Sequence, residues 1–376
     1  MNDDIKILQQ DAISLLKELI RIPSFSREEN GTATAIENFL HAREVLCYRH
    51  LNNVWAVNKY FDAGKLTILL NSHHDTVKPN PQYTKDPFEA IVEDGKLFGL
   101  GSNDAGGWLV ALIASFLFFY DKKELSFNVV LAITAEEEIS GFNGIESLLQ
   151  DKNFQEKTAG CFLSAAGKGV GIVGEPTLMQ LAVAEKGLLV LDCVCHGKAG
   201  HAAREEGENA IYKAMQDIAW FSSFSFPKIS DTLGAVKMSV TIISTENKQH
   251  NVVPAVCSFV ADIRVNDEYT HEEILSIIQD HVSCEVRPRS LRMRSTKIDT
   301  QHPVVQSAIG LGRTTYGSPT CSDKALMPFP AVKCGPGDSA RSHSADEFIY
   351  LKEIEEGIEG YINILENIRM DPGYKL

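Results

Sequence analysis

Three short, unbroken apolar runs in the first half of the chain stop abruptly at acids and histidines. Leu66 to Leu70 (LTILL) leads into Asn71-Ser72-His73-His74-Asp75. Phe127 to Thr134 (FNVVLAIT) leads into Ala135-Glu136-Glu137-Glu138, and Gly169 to Val173 (GVGIV) into Gly174-Glu175-Pro176-Thr177. Continuous apolar runs of this length suit strands buried on both faces, as in a mainly parallel sheet flanked by helices. Ala105 to Tyr120 supplies a helix between two of the strands, opened by Asn103-Asp104. Ala12 to Ile20, stopped by Pro23, and Thr32 to Leu46 show helical spacing. In open α/β sheets, ligands bind beyond the carboxyl ends of the strands. That is where the acids and histidines of this chain fall.

The pattern changes near Leu181. Leu188 to Val194, a helix from about Asn209 to Phe221, Val236 to Ser244, Val252 to Val265, a helix Thr270 to His281 and a strand near Cys284 to Arg289 follow in turn. This βαββαβ order is the ferredoxin-like pattern. Pro303 to Tyr316 resumes helical spacing, Gly335-Pro336-Gly337 marks a tight loop, and Leu351 to Ile368 reads as a long helix. The closing part is too short to stand alone. The expected organisation is therefore a discontinuous α/β domain, residues 1–180 and 295–376, with a smaller domain, 181–294, inserted into it.

Each candidate site residue has a bland alternative. His73 and Asp75 are two apart, so in extended chain they point the same way, and Asp75 can fix the tautomer of a metal-bound His73. Asp104 can equally be the N-cap of the helix after it. Glu136-Glu137-Glu138 can be a solvated helix face, although carboxylates at the end of a core strand suggest a cationic partner. Pro176 holds Glu175 in extended chain, which also suits an ordinary strand-exit turn. His343 stands in a loop near a helix start. Together these residues give two imidazoles and several carboxylates, a ligand set that suits zinc, cobalt or manganese.

In this order the segments resemble the M20 metallopeptidase family of dinuclear zinc amidohydrolases. Ser72-His73-His74-Asp75-Thr76-Val77 is similar to the motif G-H-x-D-V-V, with Ser72 in the glycine position. Gly99 to Gly107 resembles G-R-G-x-x-D-M-K-G-G, with Leu100 for Arg and Ala105-Gly106 for Met-Lys. Thr134 to Gly141 resembles T-x-D-E-E-x-G, Gly174 to Thr177 matches G-E-P-T, and Asn251 to Pro254 with Asp262-Ile263-Arg264 matches N-x-V-P and D-x-R. The resemblance implies a zinc-peptidase-like α/β/α catalytic domain with an inserted ferredoxin-like dimerisation (lid) domain. It implies two Zn2+ ions, with Co2+ a possible substitute: His73, Asp104 and Glu175 on one, Asp104, Glu138 and His343 on the other. By the same resemblance Asp75 orients His73, and Glu137 is the general base. His201, in Gly197-Lys198-Ala199-Gly200-His201, stabilises the oxyanion from the partner of a homodimer. Asn251 and Arg264 contact substrate. A turn residue and a salt bridge remain the plain readings of His201 and Arg264.

The implied reaction is hydrolysis of a small N-acyl amino acid, with N-acetylornithine in arginine biosynthesis the first expectation. N-succinylornithine, N-acetylcitrulline, N-acetyllysine and succinyl-diaminopimelate are alternatives, as are a di- or tripeptidase and a non-catalytic scaffold. The formal charge of −14 argues against a general nucleic-acid or anionic-membrane partner. The acidic start and the shortness of the apolar stretch Leu109 to Tyr120 lead to the expectation of a cytoplasmic protein. None of the eight cysteines forms a C-x-x-C pair, so they are expected to be reduced core residues and not metal ligands.

Overall fold

A computed structural model describes residues 3–204 and 206–369. The elements follow in chain order: α1 (Asp3–Ile20), α2 (Asn30–His41), β1 (Cys47–His50), β2 (Asn53–Val57), β3 (Leu66–His73), α3 (Trp108–Tyr120), β4 (Phe127–Thr134), β5 (Gly169–Val173) and β6 (Leu181–Glu185). Next come β7 (Gly187–His196), α4 (Ala210–Ser223), β8 (Lys237–Ser244), β9 (Val256–Val265), α5 (His271–Gln279) and β10 (Glu285–Pro288). The chain then continues through β11 (Ala331–Lys333) to α6 (Leu351–Glu366). Two compact units result. The first runs to Val183 and resumes with Lys297–Tyr316 and the segment from Ser322; the second is Ala184–Thr296 with Gly317–Cys321. The expected C-terminal end, 370–376, lies outside the described residues.

The main sheet of the first unit has the order β1-β2-β4-β3-β5-β11-β6. Its centre is parallel, as the continuous apolar runs require: β3 pairs in parallel with β4 and β5, and β5 with β11. Every residue of β3 and β4 is buried. Successive side chains leave opposite faces. Ile68 and Leu70 enter one core with α1, α3 and α6, while Leu69 enters another with Trp55, Val130, Phe154 and Phe162. Both faces are therefore covered, and the unit is an α/β domain. Residues 102–120 are long and apolar enough to cross a membrane, yet most of this stretch is buried in the core. A small second sheet, which the sequence pattern did not reveal, pairs Phe348–Tyr350 with Lys96–Phe98 and that strand with Ile91–Glu93.

The second unit is an antiparallel sheet, β8-β9-β7-β10, whose buried face carries α4 and α5. β7 and β9 alternate buried and half-buried positions along their length, as a sheet covered on one side demands. Thr270 and Glu273 form a capping box at the start of α5. One expected strand is broken. Val252 to Val265 divides at Pro254, which has no N–H to give a ladder, and Val252–Val253 pairs instead with Gly200–His201.

Close packing explains one glycine of the strand ends. A Cβ at Gly174 would lie 2.4 Å from Trp108 Cδ1 and 2.9 Å from Leu112 Cδ1, both on buried α3. Gly174→Ala is expected to destabilise the first unit by about 1–3 kcal/mol, the usual cost of overpacking, measured by urea unfolding.

Candidate active site

The carboxyl ends of β3, β4 and β5 converge because the strands are neighbours and parallel. β3 ends at His73, which is 3% exposed, and the chain turns so that Asp75 comes back beneath the ring. His73 Nδ1 lies 3.3 Å from Asp75 Oδ1. Asp75 does more than the expected orienting of His73. Its carboxylate also accepts hydrogen bonds from Ser26 Oγ (2.7 Å) and from the backbone N–H groups of Glu137 and Glu138 (3.1 Å each). Burial alone would raise the Asp75 carboxyl; the His73 imidazole, Ser26 and the N–H donors outweigh it and hold the group below the ordinary carboxylate range. Neighbouring His74 has a scaffold role, lying between Thr32 Oγ1 (2.8 Å) and the Asn52 carbonyl (2.9 Å). Burial lowers it to about 4, so it is neutral.

Asp104 is not the N-cap of α3. The helix begins after Gly107, and Asp104 sits earlier, in a wide turn, with extended angles (φ −117°, ψ 97°). The turn starts at Gly101, whose φ of 74° favours glycine and where a Cβ would meet Thr76 Cγ2 at 2.7 Å. What holds this turn is Glu347, a residue the sequence offered no reason to select. Its buried carboxylate accepts from the backbone N–H groups of Asp104 (2.7 Å), Asn103 (2.8 Å) and Gly101 (3.3 Å). Burial and the nearby Asp104 charge push Glu347 up to about 8, against the pull of those donors. The small sheet that ends in Phe348–Tyr350 brings Glu347 here, and the Gly99 N–H also bonds to its carbonyl.

The three glutamates after β4 divide their roles. Glu136 is buried and accepts from Asn143 Nδ2 (2.7 Å), so it braces the turn. Glu137 and Glu138 form a short 3-10 turn rather than a solvated helix face. Glu137 Oε2 is 3.8 Å from His73 Nε2. Burial raises the Glu137 carboxyl well above its usual value, His73 offsets part of this, and the charges of Glu175, Glu138 and Asp323 add to it. Burial likewise raises Glu138. Glu175 follows β5, and its Oε2 lies 3.9 Å from Nζ of buried Lys333 at the end of β11.

Asp104 lies between two imidazoles: His73 Nε2 is 3.3 Å from Oδ1, and His343 Nε2 is 3.7 Å from Oδ2. His343 Nε2 is also 3.1 Å from Glu138 Oε2. That contact raises the imidazole to about 9, although partial burial opposes it. His73, Asp104 and Glu138 each present a ligand atom, all within 4.8 Å of one another. Burial and mutual repulsion keep Glu137 and Glu138 from ionising easily, and a divalent cation would remove that cost. The donor set and its charge therefore fit a metal centre.

The structure thus brings His73, Asp75, Asp104, Glu137, Glu138 and His343 together in the first unit, with Glu175 coupled to Glu137 by charge. The other three expected residues belong to the second unit. His201 is exposed on the two-residue strand that pairs with Val252–Val253, and its Nδ1 accepts from Ala203 N–H. The Asn251 carbonyl accepts from Ala202 N–H. Arg264 makes two hydrogen bonds, of 2.8 and 3.0 Å, to Asp262 on the same face of β9.

Asp75→Asn puts an amide N–H against backbone donors, so it is expected to cost about 2–4 kcal/mol in urea unfolding at pH 7. The folded-state pKa of Asp75 is depressed, so its contribution is present above the unfolded value of about 4 and is lost as pH falls through the folded value. The stability gap between wild type and variant should therefore narrow in acid.

The model of peptidase family M20/M25/M40 matches residues 69–367. Succinyl-diaminopimelate desuccinylase 2 of Ruegeria sp. is 26% identical over 286 residues, covering 72% of this chain and 69% of that protein. A succinyl-diaminopimelate desuccinylase of Wolbachia pipientis is 26% identical over 384 residues, covering 95% and 93%. An M20 family metallo-carboxypeptidase from Sulfolobus solfataricus shares the fold, with a TM-score of 0.72 at 17% identity, over 98% of this chain and 99% of that one. The match to the family model spans most of the sequence and takes in the strand ends where the acids and histidines meet, so this chain is a hydrolase of peptidase family M20/M25/M40.

Proposed function

We propose that this hydrolase cleaves the amide bond of a small N-acyl amino acid with a pair of divalent metal ions, Glu137 serving as general base. The observation that carries the reading is the approach of His73, Asp104, Glu138 and His343 to one point, with the Glu137 carboxylate 3.8 Å from His73. His73, Asp104 and Glu175 would hold one ion, and Asp104, Glu138 and His343 the other, with zinc expected and cobalt a substitute. When bound, such a pair polarises the carbonyl and lowers the pKa of water toward about 7.

The side chains of this protein then supply the remaining chemistry. Asp75 fixes the His73 ring, and through two backbone N–H groups it fixes the turn that carries Glu137. Glu137 takes the proton of the attacking water and returns it to the leaving nitrogen as the C–N bond breaks, giving a carboxylate and a free amine. His201, from the partner of a homodimer formed through the second unit, donates a hydrogen bond to the oxyanion. Arg264, whose planar fork suits a carboxylate, and Asn251 bind the amino-acid end. The setting remains the cytoplasmic one expected from the sequence.

Two substrates head the proposal. N-acetylornithine is the expectation that the family resemblance implies. Succinyl-diaminopimelate is the second reading, supported by the names of relatives at 26% identity. A rate panel of acetylornithine, succinylornithine, acetylcitrulline, acetyllysine, succinyl-diaminopimelate and a dipeptide on the zinc- or cobalt-loaded enzyme separates them. Turnover of the dipeptide alone would overturn the deacylase reading.

Glu137→Ala is expected to retain metal by elemental analysis and to lose roughly 10^3-fold in kcat, the scale of general-base catalysis. Near-wild-type turnover would sink the mechanism. Mixing inactive Glu137→Ala with inactive His201→Ala should restore partial activity after subunit exchange, since one mixed site regains both groups. Exchange without recovery counts against a histidine acting in trans.

A further inference from the structure

A second cluster of metal-seeking side chains lies wholly within the second unit. Cys193 and Cys195 are two apart on β7, so their thiols share the face buried against α4 and α5. Cys257 on β9 stands directly across from Cys195. On the other side, β10 begins at Glu285, which pairs with Val194, and Cys284 immediately precedes that strand. Two strands and the lead-in to a third thus bring thiols together at one place in the sheet. Asp217, on α4 and 6% exposed, points its carboxylate toward them. Cys195 Sγ lies 3.6 Å from Asp217 Oδ2. Ligand atoms of Cys195, Asp217 and Cys284 are all within 4.8 Å of one another.

We propose that Cys195, Cys284 and Asp217 form a binding site for a thiophilic divalent cation such as zinc or cobalt, separate from the histidine–carboxylate centre. Four-coordinate zinc with Zn–S bonds of about 2.3 Å spaces its ligands about 3.7 Å apart, so the side chains need to draw together by about 1 Å at most. The carboxylate is already fixed, as metal-bound carboxylates generally are. Asp217 accepts from the backbone N–H groups of Ser283 and Cys284 (3.0 Å each) and from Ser283 Oγ (3.2 Å to Oδ2). Cys193, two residues before Cys195 on the same buried face of β7, lies beside these ligands and packs in the same core. Cys284 is half-buried while Cys193, Cys195 and Cys257 are buried, so the cation enters beside Cys284.

Proton balance follows from the burial of the thiols. Thiols packed against an apolar core favour the protonated form, whereas zinc and cobalt bind the thiolate. Binding therefore replaces two thiol protons with one divalent cation and releases both to solvent. Two thiolates and one carboxylate then leave the site with one net negative charge.

Cobalt absorption tests this without reference to hydrolysis. The candidate ligands of the histidine–carboxylate centre include no thiol, so a near-ultraviolet thiolate-to-cobalt charge-transfer band reports thiol ligation and not that centre, and the variants assign it to particular cysteines. Titration of the phosphine-reduced full-length protein with Co2+ should produce that band. Cys195→Ser should abolish it, and Cys193→Ala should weaken cobalt affinity there by about tenfold, the scale of lost support around a ligand. Cys284→Ser should abolish the band while amide hydrolysis stays within twofold of wild type. Wild-type protein, folded by circular dichroism, that shows no band at excess cobalt overturns the proposal. So does a band that persists in both serine variants.

Discussion

The Asp75 carboxylate is the joint on which the candidate site depends. It is completely buried and receives hydrogen bonds from Ser26 and the backbone of Glu137 and Glu138, with the His73 imidazole 3.3 Å away. One side chain thereby joins the end of β3 to the turn after β4. A carboxylate held by so many donors is well satisfied even at low local dielectric, and each donor gains in strength there. The metal-seeking His73 and the proposed base Glu137 take their relative positions from it.

Glu347 repeats the device for the other half of the site. Its carboxylate gathers three backbone N–H groups of the turn at 101–104 and so aims Asp104 between His73 and His343. Both clamps use a side chain distant in sequence to satisfy backbone donors that no ladder reaches. Buried N–H groups must find a partner, and a loop that dips into the sheet end has to borrow one. Burial first, and then the charges of neighbouring carboxylates, raise the carboxyls of Glu137 and Glu138 there.

Much of this was legible in the residues. The apolar runs at Leu66, Phe127 and Gly169 marked the parallel strands, and the polar residues that stop them are ones that gather at the strand ends. The βαββαβ order from Leu188 onward is the order found in the second unit. Where the reading missed, a local competitor won. Pro254 broke a strand that looked continuous, and Asp104, set in a wide turn, left the capping position to Gly107. The cysteines are free and mostly buried, as reduced core residues should be, while spacing along one chain does not show that Cys284 comes within reach of Cys195 and Asp217.

The sequence alone determined the α/β class, the order of the elements and which carboxylates and histidines stand at strand ends. Those properties follow from local periodicity and from where apolar runs stop. Tertiary structure decided the rest. It set Asp75 under a distant turn, brought Glu347 and His343 to Asp104 from more than two hundred residues away, and drew scattered thiols together. Pairing register and loop closure fix such meetings, and neither is written in the residues nearby.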